Sequence, residues 1–240
     1  MANRPIFIPS LKDRILVNTK HVDFKWSPGM SVSQKQKSVE SLHTAACETL
    51  HLEKILEVST KSKEPLGVAL SAFNLMFTTL KYNRTFTVES AYQGSKVFEN
   101  GGPYNDLFEA PSRDAKTDER LQSSGRLKGF SFFGKRWGLE PQTAFYDWLY
   151  INAISKRPDL IEQLRDYSAF TDIEFNPERS FNCQAYSVAL CVSLYKRNML
   201  DRALSATEEF ISIINQSAIN NARHNEALQP SLGIFKEMDS

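Results

Sequence analysis

Three polar side chains in the stretch ESAYQGSKVFENGGPYND, residues 89–106, recur at a spacing that could do chemistry. Glu89, Gln93 and Lys96 stand at i, i+4 and i+7, and at 3.6 residues per turn such positions fall on one helical stripe. Tyr92 lies beside them. A carboxylate, an amide and an amine on one stripe form either a solvated surface or one wall of a polar pocket. At the start of a predicted helix the dipole stabilises a carboxylate, and that alone would account for Glu89.

Three further acids and one basic stretch extend the set. Asp147 is the sole charge in TAFYDWLYINAI, so it must be paired or have its pKa raised. Such a group is a structural anchor or a tuned pocket residue. Asp172 and Glu174 alternate along FTDIEFNP, and on a strand they would share one face. Two carboxylates there suggest recognition of ribose hydroxyls or acid/base work, although two exposed strand charges leave the same pattern. From Arg113 to Arg136 seven Lys or Arg residues stand against three carboxylates, which would suit a phosphate-rich ligand, a nucleic-acid backbone or a solvated loop. Trp137 follows directly. Exposed, it would offer a stacking face for a base; buried, it would be core. Together these groups suit a nucleotide-like ligand with a sugar and phosphates, and such a site could break a glycosidic bond without a metal.

Other chemistries lack their residues. The four histidines have neither HExxH nor paired Cys/His spacing, so no zinc site is expected. His43 and Cys47 share a helix face without a catalytic pattern around them. GxSxG, a Walker loop and GxGxxG are absent, and SSGRLKG lacks the Lys-Ser/Thr of a phosphate loop.

The elements that must position these groups read as follows. RPIFIP and HVDFKW are predicted strands broken by SPG. SVSQKQKSVESLHTAACETLH suits a helix capped by Ser31 or Ser33, and KILEVSTKS a strand with a polar exit. VALSAFNLMF is a buried segment, and RTFTVE leads into the Glu89 helix, which ends at Gly101-Gly102-Pro103. SRDAK starts a short helix with Ser112 as its cap. LKGFSFFGKRW is a turn or strand pair, and Pro141 precedes an almost wholly apolar helix. RPDLIEQLRDY predicts another helix, CQAYSVALCVSLYK is strongly apolar, and an amphipathic helix is expected over Asp201–Gln216. Beyond Asn220 the chain is polar and unpatterned.

Composition bounds the class. Apolar residues make up 41% and charged residues 24%, ordinary for a soluble globular protein of 240 residues. A formal charge of +1 provides no global field toward nucleic acid, so any such contact must be local. Three widely spaced cysteines predict reduced thiols in a cytoplasmic protein. MANRPIFIPS has no basic and apolar regions of a secretion signal, and no apolar run reaches the ~20 residues of a membrane span, so no membrane contact is expected.

The order of LSAFN (70–74), VESAYQGSKVF (88–98), PSRDAK (111–116), RW (136–137), PDLIEQL (158–164) and DIEFNP (172–177) resembles the NADAR family. That family is named for its association with NAD and ADP-ribose metabolism. Its signature runs through an LSNF-like start, an E-h-x-x-Q-x-x-K helix, an R-E-A-K segment, a Trp and a final V-E-x-S-P stretch. The resemblance covers about residues 66–182. SAYQGSKVFENGGPYNDL and AFYDWLYINAI are closer still to the DarT-associated NADAR antitoxins, whose partner toxins attach ADP-ribose to guanine in DNA. Two departures stand out: the Asn of LSNF is Ala72, with Asn74 near enough to substitute, and the S-P step reads Asn176-Pro177.

The resemblance implies a helix-dominated α+β domain, expected over residues 61–220; the residues themselves predict a small strand-rich N-terminal addition over 1–60 and a polar tail from 221 to 240. It implies an ADP-ribosyl glycohydrolase that takes ADP-ribose off guanine in DNA, with no cofactor. A DarT-type toxin, ADP-ribose and ADP-ribosylated DNA are the implied partners. Alternatives are an N-glycosidase of riboflavin-pathway-like intermediates and a non-catalytic antitoxin that binds ADP-ribose or sequesters the toxin. Glu89, Lys96 and Glu174 are the implied catalytic residues. Substrate contacts are expected from Ser71, Asn74, Tyr92, Gln93, Arg113, Trp137, Asp147 and Asp172, with Asn182 and Gln184 replacing the family's residues after the S-P step.

Overall fold

β-Branched and aromatic residues suit β1 (Ala2–Pro9) and β2 (Val17–Phe24) to a sheet, where they form an antiparallel pair in register from Ala2 opposite Phe24 to Pro9 opposite Val17. The computed structural model describes residues 1–217 apart from 13, 80, 82 and 179, so the polar tail lies outside the described residues. α1 (Val32–Leu50) follows, capped by Ser31, whose Oγ accepts the Gln34 amide at 3.3 Å. β3 (Ile55–Glu57) pairs in parallel with β9 (Ala169–Thr171), and the sheet order is β2-β1-β9-β3. The first sixty residues thus supply α1 and three of this sheet's four strands.

Both faces of the sheet are covered, and neighbouring side chains of β1 face opposite layers. Ile6 joins Val22, Phe24 and the α1 residues Val39, Leu42 and Ala46. Phe7 instead joins the larger core, with Leu56, Phe170 and the apolar residues of α6 (Ala144–Ser155) and α8 (Gln184–Lys196). α6 and α8 are apolar on nearly every side because each is surrounded. The chain is a helix-dominated α+β protein, as the resemblance implied.

Smaller elements build the rest. β4 (Met76–Thr78) and β5 (Thr85–Thr87) form a ribbon leading into α3 (Val88–Gly94). β6 (Lys96–Phe98), β7 (Leu127–Phe132) and β8 (Lys135–Trp137) form an antiparallel sheet that lays Phe130, Phe132 and Trp137 toward α6. α4 (Ser112–Thr117), α5 (Arg120–Ser123) and α7 (Pro158–Leu164) are short. Ser112 lies inside α4 rather than capping it; its hydroxyl donates to the Phe73 carbonyl at 2.9 Å. The helix expected over Asp201–Gln216 is two helices, α9 (Leu200–Ser205) and α10 (Thr207–Gln216), because Ala206 is extended at φ −152°. Among the described residues no helix is long and apolar enough to cross a membrane, and the three cysteines are unbridged.

One glycine fixes how α2 (Pro65–Ala69) docks on β3. A Cβ on Gly67 would lie 2.0 Å from the Glu57 carbonyl oxygen and 2.4 Å from Ser62 Oγ. The carbonyl belongs to a sheet strand and cannot yield. Gly67→Ala is expected to cost about 2–3 kcal/mol, roughly 5–10 °C in Tm by calorimetry for a chain of this length.

Candidate active site

The carboxyl ends of parallel β3 and β9 open into a cleft of about 840 Å³. Ligands commonly bind at this end of parallel strands, where the chain leaves the sheet and frees polar groups. β3 leaves through Ser59, Thr60 and Lys61, and β9 through Asp172, and all four line the cleft.

α3 supplies the opposite wall. Thr87 caps it by accepting the Ser90 amide at 3.1 Å, and its first amides are anchored on the preceding turn. Val88 N donates to the Leu75 carbonyl at 3.0 Å and Glu89 N to the Ala72 carbonyl at 2.9 Å. That turn is held in place by Tyr150, whose hydroxyl donates to the Leu70 carbonyl, and by Gln184, whose Oε1 accepts the Ala72 amide at 2.8 Å. The result fixes both Ser71 and Glu89 in the lining. Glu89 is only 6% exposed. Its Oε1 accepts Gln93 Nε2 at 2.9 Å, and Lys116 Nζ stands 3.8 Å away. Gln93 Oε1 is buried and, among the described residues, has no hydrogen-bond partner. A ligand N–H or hydroxyl would satisfy it.

Lys96 reaches the same wall by a different route from the one its spacing suggested. α3 ends at Gly94, so Lys96 is the first residue of β6, where it pairs with Phe130. Its Nζ lies 5.0 Å from the centre of the Tyr92 ring. Burial is the main cause that lowers its pKa to about 8; Lys116 lowers it further and Glu89 opposes both. Tyr92 is oriented by Asn182, whose Nδ2 donates to the phenol oxygen at 2.6 Å.

Asp172 and Glu174 do not alternate along a strand, because β9 stops at Thr171. They sit in a tight turn in which Glu174 N donates to Asp172 Oδ1 at 3.0 Å and Phe175 N to the Asp172 carbonyl at 3.2 Å. Both carboxylates still line the cleft. Burial, with the Glu174 charge adding, pushes Asp172 up to about 7, against hydrogen bonds from Gln184 and the turn amides. Glu174 is exposed and paired with Lys35 at 3.0 Å.

Three expected contacts are elsewhere. Trp137 is buried against Phe145 and Trp148, with ring centres 5.5 and 5.1 Å away, and presents no stacking face. Asp147 lies behind the cleft, where Ser187 Oγ donates to it at 2.6 Å and ties α6 to α8. Asn74 turns away, its Nδ2 donating to the Val68 carbonyl at 2.9 Å. Of the basic stretch only Arg113 and Lys116 line the cleft. Arg120 pairs with Asp106 and Asp118, Arg126 and Lys128 with Glu99, and Lys135 with Glu208.

Several lining residues escaped sequence reasoning. Lys116 stands one α4 turn beyond Arg113, a spacing that marks a shared face. Ser59–Lys61 is the polar exit of a parallel strand, legible only once β3 is known to pair with β9. Phe181, 55% exposed in the cleft lining, is the flat aromatic that Trp137 is not, and nothing in its local sequence marks it.

The cleft therefore combines four cations, Lys61, Lys96, Arg113 and Lys116, with four carboxylates, Glu89, Glu140, Asp172 and Glu174. Cations suit phosphate oxygens and carboxylates suit sugar hydroxyls. No curated protein sequence matches the chain significantly. The family model of DarT1-associated NADAR antitoxins matches residues 2–224, well past the motif-bearing stretch at either end. With that match over nearly its whole length, the chain belongs to the NADAR family, in the branch of DarT1-associated antitoxins.

Proposed function

We propose that the cleft removes ADP-ribose from guanine bases in DNA and so reverses the damage done by a DarT-type toxin. The observation that carries this reading is the buried Glu89 sharing one wall with the Lys96 amine, across from the Asp172 turn. The bond to be broken joins C1 of the ribose to a guanine nitrogen. Glu89 takes a proton from the Lys96 ammonium and passes it to the departing guanine. The Lys96 amine forms the new bond to C1; the sugar opens to an imine, and water hydrolyses it, returning ADP-ribose and the free amine. Asp172 and Glu174 accept from ribose hydroxyls, Lys61, Arg113 and Lys116 hold the diphosphate, and Gln93 Oε1 takes a ligand N–H or hydroxyl. Phe181 provides a stacking face for a base.

Release of ADP-ribose from a guanine-modified oligonucleotide, beside a thymine-modified control, tests the reading. Release from guanine alone is expected. No release from either substrate, together with tight binding to the toxin, would replace hydrolysis with sequestration.

A further inference from the structure

Beneath the cleft floor lies an acid that the proposed reaction does not touch. Glu57, the last residue of β3, is 2% exposed. Its Oε1 accepts Ser59 Oγ at 2.6 Å and Ile173 N at 2.9 Å, and its Oε2 lies 2.7 Å from Thr171 Oγ1. His43 Nε2 reaches in from α1 to 2.8 Å from the same hydroxyl. Parallel pairing places Glu57 directly opposite Thr171, so the carboxyl group meets the chain just where it leaves β9.

Each of these bonds ends on the cleft wall or on its support. Ser59 is a lining residue, and Ile173 sits between the two lining carboxylates. Glu174 N and Phe175 N bond back within the turn to Asp172, whereas Ile173 N crosses to β3 through Glu57. We propose that Glu57 is a positioning residue: it clamps the Asp172–Phe175 turn to β3 and so sets where Asp172 meets the ligand. The inference rests on the reading of this cleft as an ADP-ribose site.

The protonation of the cluster agrees with the clamp. Burial, with the Asp172 charge adding, pushes Glu57 up to about 8, and burial lowers His43 to about 4. Glu57 Oε1 accepts from Ser59 and Ile173 and Oε2 from the Thr171 hydroxyl, whose oxygen stands 2.8 Å from His43 Nε2. Both oxygens of the buried acid are thus answered. The nearby Cys183 thiol is pushed up by burial and by Asp172 and Glu57, and burial and the Asp172 charge likewise push up the Tyr146 and Tyr150 hydroxyls.

Two substitutions separate the clamp from bulk packing. Glu57→Gln keeps the shape and the Oε1 acceptor for Ser59 and Ile173, and turns an N–H toward the Thr171 oxygen. Glu57→Leu keeps the volume and leaves Ser59, Thr171 and Ile173 unanswered. Calorimetric titration with free ADP-ribose at pH 7 is expected to give Glu57→Gln an affinity within about threefold of wild type, and Glu57→Leu a loss of about tenfold or more. Carbon-detected NMR should find the Asp172 midpoint unchanged in Glu57→Gln and moved by about half a unit or more in Glu57→Leu. Should Glu57→Leu fail to fold, Glu57→Asp, one methylene short of Ile173 N, takes its place with the same expectation. Wild-type affinity in the shortened or apolar variant overturns the proposal, as does a Glu57→Gln defect equal to theirs. A wild type that binds ADP-ribose but releases none from DNA overturns the hydrolase reading alone. A wild type that binds no ADP-ribose overturns both.

Discussion

Replacing Glu89 by Gln is expected to slow ADP-ribose release from a guanine-modified oligonucleotide by about 10²–10⁴-fold, the usual worth of a positioned acid or base. The exchange is close to isosteric. The amide oxygen of the substituted side chain still accepts Gln93 Nε2, so the bond now seen at 2.9 Å survives and α3 keeps its cap and anchors. The proton donor and the negative charge are what disappear. Free ADP-ribose should bind at least as well as to wild type, because an anion leaves a cleft that must accept a diphosphate. Single-turnover rates beside calorimetric affinities check both halves. A rate within about threefold of wild type, with affinity unchanged, would remove Glu89 from the chemistry.

Lys96→Met is expected to slow release by about 10²-fold or more, a loss typical of a group that acts on the reacting centre. Met matches the stem of Lys96 and leaves no buried charge, so thermal stability should hold or rise. The pH dependence gives the sign. With a pKa lowered to about 8, the amine is the neutral nucleophile in a growing fraction as pH rises. Glu89 must carry the proton it donates, so the wild-type rate should fall above about pH 8; in Glu89→Gln, which donates none, the residual rate should instead climb with pH until the amine is neutral. A cation holding a phosphate would make the variant lose rate as the amine deprotonates. Borohydride should trap the imine on wild type as a covalent adduct and find none on Lys96→Met, although Lys116 is still present. In Glu89→Gln the inflection should move to lower pH, because Glu89 opposes the effects of burial and of Lys116 that depress the amine.

Periodicity and chain order determined a good deal by themselves. A cap at Ser31 or Ser33, strands within β1 and β2, the apolar helix α6 and the Glu89–Gln93 spacing all follow from local rules, since they involve residues close in sequence. Motif order carried the family. Direction and depth were beyond those rules. Trp137 and Phe181 are both aromatic, yet one is 6% and the other 55% exposed, and only the packing of β8 on α6 separates them. Asp147 and Asp172 are both acids among apolar neighbours. The first is held by Ser187, 40 residues away, and the second projects from a turn whose backbone is tied to Glu57, 116 residues from Ile173. Burial and partnership of such groups are set by contacts between remote segments. The parallel β3–β9 pair that creates the cleft has no local signal, because its strands are three residues each and lie 114 residues apart.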